Sequence, residues 1–420
     1  MSSPTKQQSI VYQVAMYAGL VDNQKGSGLE AALYADIQAA MKANAAQIGD
    51  WSVAWGPVVV QFDTTSYDLN AMYVAESQDT PGTYVLGIAG TNPYSIFDWL
   101  VEDGLVSKQL PWPYALLSAP DAKISLGTGI GLAILQNAVP VTGIPGAGTT
   151  VLKFLQDIPD KQGMNLIVAG HSLGGALSAT VTLWLHDIRL LWDPFHQVAL
   201  SSIPTAGPTA GNGAFAQYSN GAIQLTRFAN AIDVVPHAWQ ASDLAKIPTL
   251  YVPSIDPDPA VEGLVALAEQ ISAAGDYTQL VNDTGWFPFD VDTSLINPDD
   301  PAIVNFVAQL AWQHTTAYLR YFNVESPQLE AWAADFQARA VAQAPSAALG
   351  GAAQAAAKEV TAPVGGVPTV IPPASDPRSD EIAARVLADL MRSATPEQQQ
   401  VTIPVDPQRL ADAPSAAGPA

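Results

Sequence analysis

A serine with a glycine two residues away on each side is the first feature of the sequence that indicates chemistry. It lies in Gly170-His171-Ser172-Leu173-Gly174-Gly175, after an apolar run at 165–169 that predicts a strand and before a helical pattern at 173–185. A Gly-x-Ser-x-Gly pattern between a strand and a helix forms a tight turn with the serine at its tip. The hydroxyl then lies at the N-terminal end of a helix, which favours developing negative charge. The pattern predicts Ser172 as a nucleophile, although such turns also arise by chance in glycine-rich chains.

A nucleophilic serine needs a histidine to take its proton and a carboxylate to orient that histidine. The chain has five histidines: His171, His186, His196, His237 and His314. The ring of His171 is expected to point into the packing beside the sheet, because this residue is on the tight turn itself. His186 lies about 20 Å along the helix that follows the serine, which is too far away. His196 precedes any downstream acid, whereas chains with this turn follow the order serine, acid, histidine.

Asp233 is the candidate acid. It follows an apolar, strand-like run at 223–228, and catalytic groups of open α/β sheets gather at the carboxyl ends of strands. An aspartate there is also a common turn residue. His237, four residues further on, is an alternative base or a residue of the site rim. His314 is favoured as the base, because acid and base usually come from separate loops.

The transition state of acyl transfer needs hydrogen-bond donors for its oxyanion. One donor is expected to be the backbone N–H of Leu173, directly after the nucleophile. The other is expected from an upstream strand, and the run 84–91 ends in Gly90-Thr91. Thr91 is therefore the second candidate, although a Gly-Thr pair is also an ordinary way to end a strand.

The composition excludes several classes of function. The chain has 420 residues, 48% of them hydrophobic and 13% charged, with a formal net charge of −22. So acidic a protein repels phosphate backbones and anionic lipid, which argues against nucleic acid and against polybasic membrane docking. The absence of cysteine excludes disulfides, thiolate metal sites and a cysteine nucleophile.

Strand and helix patterns alternate along most of the chain. Residues 28–47 predict a helix, residues 51–91 predict strands with a turn at Pro81-Gly82, and residues 198–203 predict a further strand. This alternation favours an α/β fold with a mostly parallel central sheet. The apolar stretch 124–146 contains prolines and predicts a buried strand and helix rather than a membrane span. Residues 10–20 predict a helix start rather than a secretory signal, so we expect a cytoplasmic enzyme or one exported by a signal-independent route.

Two composition shifts suggest how the chain is organised. Residues 1–342 are expected to form the catalytic domain, with an acidic, proline-rich insertion at about 240–305. Residues 343–420 are expected to be a low-complexity Pro/Ala-rich extension with one short helix at about 380–392. Paired acids in the insertion are possible calcium ligands, but they lack the spacing of an EF-hand loop and favour a solvated surface. These pairs are Asp256/Asp258 and Asp290/Asp292.

Five ordered blocks between about residues 50 and 322 resemble the class 3 lipases, the fungal-lipase-like branch of the α/β-hydrolases. The first two are Ile88-Ala89-Gly90-Thr91 with Asp98, Trp99 and Asp103, and Gly170–Gly175 with Ala176 and Leu177. The third is residues 205–212 with Phe215, where Ala206 replaces a glycine. The last two are Asn230 with residues 233–236, and His314 with Tyr318.

The resemblance implies an α/β-hydrolase fold, a triad of Ser172, Asp233 and His314, and oxyanion donors at Thr91 and Leu173. It implies no cofactor and no metal. Residues 92–103 occupy the place of the family's lid, whose apolar side chains would face an oil–water interface. The sequence departs from many members at Ala89, where they have an arginine.

The favoured function is therefore serine carboxylester hydrolysis through an acyl-enzyme, with triacylglycerol as the expected substrate. Phospholipids, feruloyl or short-chain esters and polyesters are alternatives for the same triad. An alternative of another class is a non-catalytic scaffold whose C-terminal tail binds a partner.

Overall fold

A six-stranded sheet forms the centre of the computed structural model, which describes residues 3–23, 28–61, 69–90, 106–280, 286–359 and 388. The described residues form ten strands: β1 (Trp51–Gln61), β2 (Leu69–Ser77), β3 (Thr83–Ile88), β4 (Gln109–Pro111), β5 (Lys123–Ser125), β6 (Asn165–His171), β7 (Ala199–Thr205), β8 (Gln224–Leu225), β9 (Ala229–Asn230) and β10 (Trp286–Phe287). The central sheet has the order β1-β2-β3-β6-β7-β8. Its first two pairs are antiparallel and the other three are parallel, so the predicted mostly parallel sheet is confirmed.

Helices cover both faces of this sheet. The described helices are α1 (Lys6–Met16), α2 (Leu29–Ala43), α3 (Ala45–Ile48), α4 (Leu126–Asn137), α5 (Val151–Asp157), α6 (Leu173–Asp187), α7 (Arg189–Trp192), α8 (Gly213–Ala222), α9 (Ala241–Leu244), α10 (Pro259–Ser272), α11 (Ala302–His314), α12 (Thr316–Tyr321) and α13 (Pro327–Glu359). Short 3-10 segments lie at Tyr17–Asn23, Val235–His237, Ile247–Thr249 and Thr293–Leu295. One core contains α1, α2 and α10–α13, and the other contains α4–α8.

The alternation of side chains along β6 shows why both faces must be covered. Ile167 and Ala169 pack into the core on the α1 side, whereas Leu166 and Val168 pack into the core on the α6 side. Burying each large aliphatic side chain contributes roughly 1.5–3 kcal/mol. A strand that is apolar on both faces is typical of a parallel sheet between two helical layers.

Local sequence signals explain several element boundaries. The Thr5 hydroxyl accepts from the Gln8 N–H, and the Gln8 side chain accepts from the Thr5 N–H, so a capping box begins α1. The Ser125 hydroxyl accepts from the Thr128 N–H at 2.9 Å and begins α4. The predicted helix start near residue 10 and the predicted buried strand and helix after residue 124 are both confirmed.

The predicted strand at 223–228 is shorter than expected. The regular pairing with β7 covers Gln224–Leu225, and the chain meets β7 again at an isolated bridge between Phe228 and Thr205. Hydrogen bonds to β7 continue beyond β8, from the Thr226 N–H to the Ser202 carbonyl and from the Phe228 N–H to the Pro204 carbonyl. Ala206, the residue directly after β7, has a φ of 55°, a left-handed backbone conformation that favours glycine. β9 then pairs in parallel with β10 of the acidic segment instead.

The acidic segment and the C-terminal region contain regular structure. α10 buries Val261, Leu264 and Val265 against the core on the α1 side. α13 continues to Glu359, past the predicted domain boundary at 342, and that division stays a prediction. The predicted helix at about 380–392 lies outside the described residues apart from Ala388. Among the described helices, none has the length and apolar character that crossing a bilayer requires.

The cap of α4 gives a first prediction. Ser125→Ala removes the acceptor for the Thr128 N–H and is expected to lower the free energy of unfolding by about 1 kcal/mol. Urea denaturation measures the change. Ser254→Ala, at an exposed turn, is the matched control and is expected to stay within about 0.5 kcal/mol of wild type. Equal midpoints for the two variants would contradict the role of the cap.

Candidate active site

The turn between β6 and α6 holds Ser172 in an unusual backbone conformation. Its φ of 61° and ψ of −130° are strained for a residue with a side chain, at a cost of order 1–3 kcal/mol. The Ser172 N–H donates to the Thr205 carbonyl at 3.0 Å, and the Ser172 carbonyl accepts from the Gly175 N–H at 2.8 Å. These bonds hold the nucleophile candidate at the carboxyl end of the sheet.

Glycines allow the surrounding main chain to approach this turn. A Cβ at Gly170 would lie 2.2 Å from the Gly174 carbonyl oxygen, and a Cβ at Gly174 would lie 2.3 Å from the Ile88 carbonyl oxygen. A Cβ at Gly175 would lie 2.4 Å from the Thr205 carbonyl oxygen. Such distances leave no room for any side chain, so the glycines that the sequence pattern singled out are required by packing.

Asp233 and His314 form a buried pair close to this turn. His314 Nδ1 lies 2.9 Å from Asp233 Oδ2 and 3.1 Å from Oδ1, and both residues have no exposed surface. His314 Nε2 has no hydrogen-bond partner among the described residues, Ser172 included. Ser172 and His314 line one cavity together with Ile88 and Gly90. Hydrogen bonds between such groups are often long before substrate binds.

Two further groups fix the carboxylate of Asp233. The Tyr318 hydroxyl donates to Oδ2 at 2.9 Å, and the Val235 N–H donates to Oδ1 at 3.1 Å. The Tyr318 oxygen in turn accepts from the Asn230 N–H at 2.9 Å. Burial, together with the charge of Asp233, raises the pKa of Tyr318 well above its usual value, so the phenol stays a donor.

The acid is also tied to the acidic segment. The Asn230 side-chain amide donates to Gln313 Oε1 at 2.8 Å, and the Gln313 amide donates to the Asp290 carbonyl at 2.9 Å. Sequence reasoning missed Gln313, for which the only available signal was its position next to His314. In the same segment, Asp258 and Asp292 accept from the N–H groups of Ala260 and Ser294 at helix starts.

His171 lies beside the pair without joining it. Its ring centroid is 4.7 Å from that of His314 and 5.1 Å from that of Tyr318, and the residue is 4% exposed. Burial, followed by the proximity of His314, lowers the pKa of His171 well below its usual value, and a main-chain contact to His314 opposes this shift only in part. The expectation that this ring packs beside the sheet is confirmed.

His237 lies behind the acid loop. Its Nε2 pairs with the Ala231 carbonyl at 3.1 Å, and its ring packs on Trp286 at 4.7 Å. Burial lowers its pKa. The sequence analysis missed Arg227. This residue is buried, and its guanidinium carbon lies over the Trp286 ring, 5.1 Å from the ring centroid. Burial lowers the pKa of Arg227 to about 10, and the nearby carboxylates of Asp243 and Asp233 oppose this shift in part.

Of the two predicted oxyanion donors, Leu173 lies within the described residues and Thr91 does not. Leu173 is the first residue of α6, and the first N–H groups of a helix have no partner within the helix. Thr91 and the predicted lid at 92–103 lie outside the described residues. Gly90, directly before Thr91, is described, and a Cβ there would lie 2.8 Å from the Ser172 Cβ.

Comparison with known proteins agrees with the α/β-hydrolase architecture of this sheet and turn. A model of the Lipase (class 3) family matches residues 128–242. The crystal structure of M37 lipase is 34% identical, with a TM-score of 0.67, and the match covers 76% of this chain and 92% of that one. The chain therefore belongs to the class 3 lipase family, and it is a carboxylic ester hydrolase.

Two fungal structures are more distant. Lipase II from Rhizopus niveus is 18% identical with a TM-score of 0.39, covering 57% of this chain and 74% of that one. Rhizomucor miehei triacylglyceride lipase is 19% identical with a TM-score of 0.41, covering 57% and 78%. A comparison with curated protein sequences finds no match.

Removing the Tyr318 hydroxyl tests the support of the carboxylate. Tyr318→Phe leaves the buried Asn230 N–H without its acceptor, which costs about 1–3 kcal/mol of unfolding free energy. Urea denaturation measures this loss. Tyr34→Phe is the control: its hydroxyl accepts from Gln38 on an exposed helix face, so its loss should change stability little. A Tyr318→Phe protein as stable as the control would contradict this account.

His171 predicts a pH dependence of stability. Because its pKa is lowered in the folded chain, the unfolded chain binds more protons as the pH falls below about 6.5, so stability is lost in that direction. One such group contributes a slope of up to about 1.4 kcal/mol per pH unit. His171→Phe is expected to flatten the dependence of unfolding free energy on pH between 7 and 5, and His237 retains a share of the slope.

Denaturation midpoints at several pH values provide the measurement. His196→Asn is the control: the residue is exposed and has a φ of 53°, which suits asparagine, so the wild-type slope should remain. If His171→Phe also kept the wild-type slope, the lowered pKa would not be the cause.

Proposed function

We propose that this chain hydrolyses uncharged acylglycerols through Ser172 as nucleophile, His314 as base and Asp233 as the acid that orients it. The observation that carries the proposal is the buried pair of Asp233 and His314, joined at 2.9 Å, with the free Nε2 edge of the histidine on the cavity that Ser172 also lines. The strained turn under Ser172 supports the same role.

In this mechanism His314 Nε2 takes the hydroxyl proton as Ser172 Oγ attacks the ester carbonyl. Asp233 stabilises the imidazolium that forms, and it keeps the tautomer that leaves Nε2 free to accept the proton. The proton passes to the leaving alcohol, and an acyl group stays on Ser172. Water, activated by His314, then releases the fatty acid.

The oxyanion is proposed to bind the N–H groups of Leu173 and Thr91. Leu173 begins a 15-residue helix whose positive end faces the turn, which supports stabilisation of negative charge there. Removing one oxyanion donor costs about 10²–10³-fold in kcat in enzymes of this mechanism.

An acylglycerol at an oil–water interface is the proposed substrate. Membership of the lipase family supports it. The net charge of −22 favours an uncharged ester over an anionic phospholipid. We propose that residues 92–103 form the lid and that residues 1–342 contain all of the catalytic parts.

Hydrolysis of p-nitrophenyl butyrate and emulsified tributyrin tests the nucleophile. Ser172→Ala is expected to lower kcat by about 10⁴-fold or more, because the covalent route is lost. Ser254→Ala is the matched serine control and should retain wild-type rates. Circular dichroism confirms that both variants are folded.

Labelling with an alkyl phosphonate provides a second readout that needs no turnover. Mass spectrometry of the labelled protein should find the adduct on the peptide that contains Ser172. Hydrolysis unchanged in Ser172→Ala, or an adduct on another serine, would overturn the proposal.

A further inference from the structure

The cavity at Ser172 is lined by two buried imidazole rings, those of His171 and His314. The two residues are 4% and 0% exposed, and their ring centroids lie 4.7 Å apart. Neither ring nitrogen of His171 has a hydrogen-bond partner among the described residues, and the same holds for Nε2 of His314. Buried polar atoms nearly always have a partner in the protein or in an ordered water. These nitrogens therefore indicate a polar ligand of the cavity.

The size of the cavity limits what this ligand can be. Its free volume is about that of one water molecule. On one side it is closed by the rings of Trp332 and Phe336, which pack 5.7 Å apart and are both buried. A buried water needs two to four polar groups around it, and the side chains of His171, Ser172 and His314 supply three. A water molecule therefore matches the cavity in size and in hydrogen bonding.

The protonation of the two rings determines how such a water is oriented. Burial, followed by the proximity of His314, lowers the pKa of His171, so its ring is neutral at pH 7 and has one nitrogen that accepts a hydrogen bond. His314 donates from Nδ1 to Asp233, which leaves its Nε2 as an acceptor. Two acceptor nitrogens match the two O–H groups of one water. The lone pairs of the water oxygen then remain free to attack.

We propose that this cavity binds the water that hydrolyses the acyl-enzyme, and that His171 holds this water together with His314. The inference rests on the proposed function, because it places the acyl group on Ser172. The water oxygen bonds to the acyl carbon as His314 Nε2 takes one of its protons, and the other O–H donates to His171. The bond from the acyl carbon to Ser172 Oγ then breaks, Oγ recovers the proton from His314, and the carboxylic acid leaves.

Such a site distinguishes water from alcohols as acceptors of the acyl group. Even the two carbons of ethanol exceed the free volume beside the packed rings of Trp332 and Phe336. An alcohol must therefore approach from the side by which the first alcohol left, where it gains nothing from His171. Binding of water in the cavity thus favours hydrolysis over transfer of the acyl group to an alcohol.

The test follows both products of one acyl-enzyme, with p-nitrophenyl butyrate as substrate in buffer that contains ethanol. Butyric acid reports attack by water, and ethyl butyrate reports attack by ethanol. His171→Phe keeps a ring but removes the acceptor, and it should lower the ratio of acid to ester by about 10-fold, as expected for one hydrogen bond in the transition state. A merely structural effect on Ser172 or His314 would slow both products and leave the ratio unchanged.

His237→Phe is the matched control for this substitution. His237 is also a buried histidine, but it does not line the cavity. Its replacement should leave the ratio of acid to ester at the wild-type value, whatever it does to stability.

Gly19→Ala provides a second variant, which fills the cavity and leaves both histidines in place. Gly19 lines the cavity, and a Cβ there would lie 3.7 Å from Trp332 Nε1, which is ordinary contact. Its backbone is not in the left-handed conformation that requires glycine. A methyl group takes up about as much room as a water, so the ratio of acid to ester should fall here too. Gly221→Ala, at a glycine that faces open space, is the control and should keep the wild-type ratio.

A crystal structure of the enzyme provides a measurement that needs no turnover. The wild type should show a water oxygen within about 3.2 Å of a nitrogen of His171 and of His314 Nε2. Crystals of His171→Phe and Gly19→Ala should lack this water.

Ratios within twofold of wild type in both variants would overturn the inference, and so would a wild-type crystal structure without the water. These results differ from failure of the proposed function, in which Ser172→Ala would form both products as fast as wild type.

Discussion

The close approach of three main-chain segments at Ser172 is the constraint on which the rest of the structure depends. The end of β3, the end of β7 and the start of α6 come within van der Waals distance of one another, which glycines at these positions permit. The strain at Ser172 is held there by a hydrogen bond to β7. The sheet supplies the rigidity, because helices bury both of its faces and leave the strands no freedom to separate.

A second constraint fixes Asp233, the proposed acid, which lies outside the central sheet. Asp233 follows β9, and β9 pairs with β10 of the acidic segment. Hydrogen bonds from Asn230 through Gln313 to the Asp290 carbonyl join the same segment to α11, which ends at His314. The acidic segment therefore helps to hold Asp233 and His314 together, through a strand pair and these hydrogen bonds.

The sequence predicted the features that depend on local patterns. The turn at Ser172 was recognisable because its glycines adjoin an apolar strand and a helix, and His314 could be singled out because few histidines follow the acid. The pairing of β9 with β10 of the acidic segment was not predictable, because the two strands are far apart along the chain. Buried Arg227 carries no local signal, and neither do Trp332 and Phe336, which line the cavity at Ser172, since only long-range packing brings these residues to the site.

The cavity that Ser172 lines is bounded by residues from both ends of the described chain, and this sets an order of events during synthesis. Met16 and Trp332 are more than three hundred residues apart, yet they face the same small space. A contact of such long range closes late, because a long loop must be ordered before the contact forms. The ribosome releases α13 only after the proposed nucleophile, acid and base have emerged. The nascent chain thus contains the whole proposed triad before the cavity beside it has been closed.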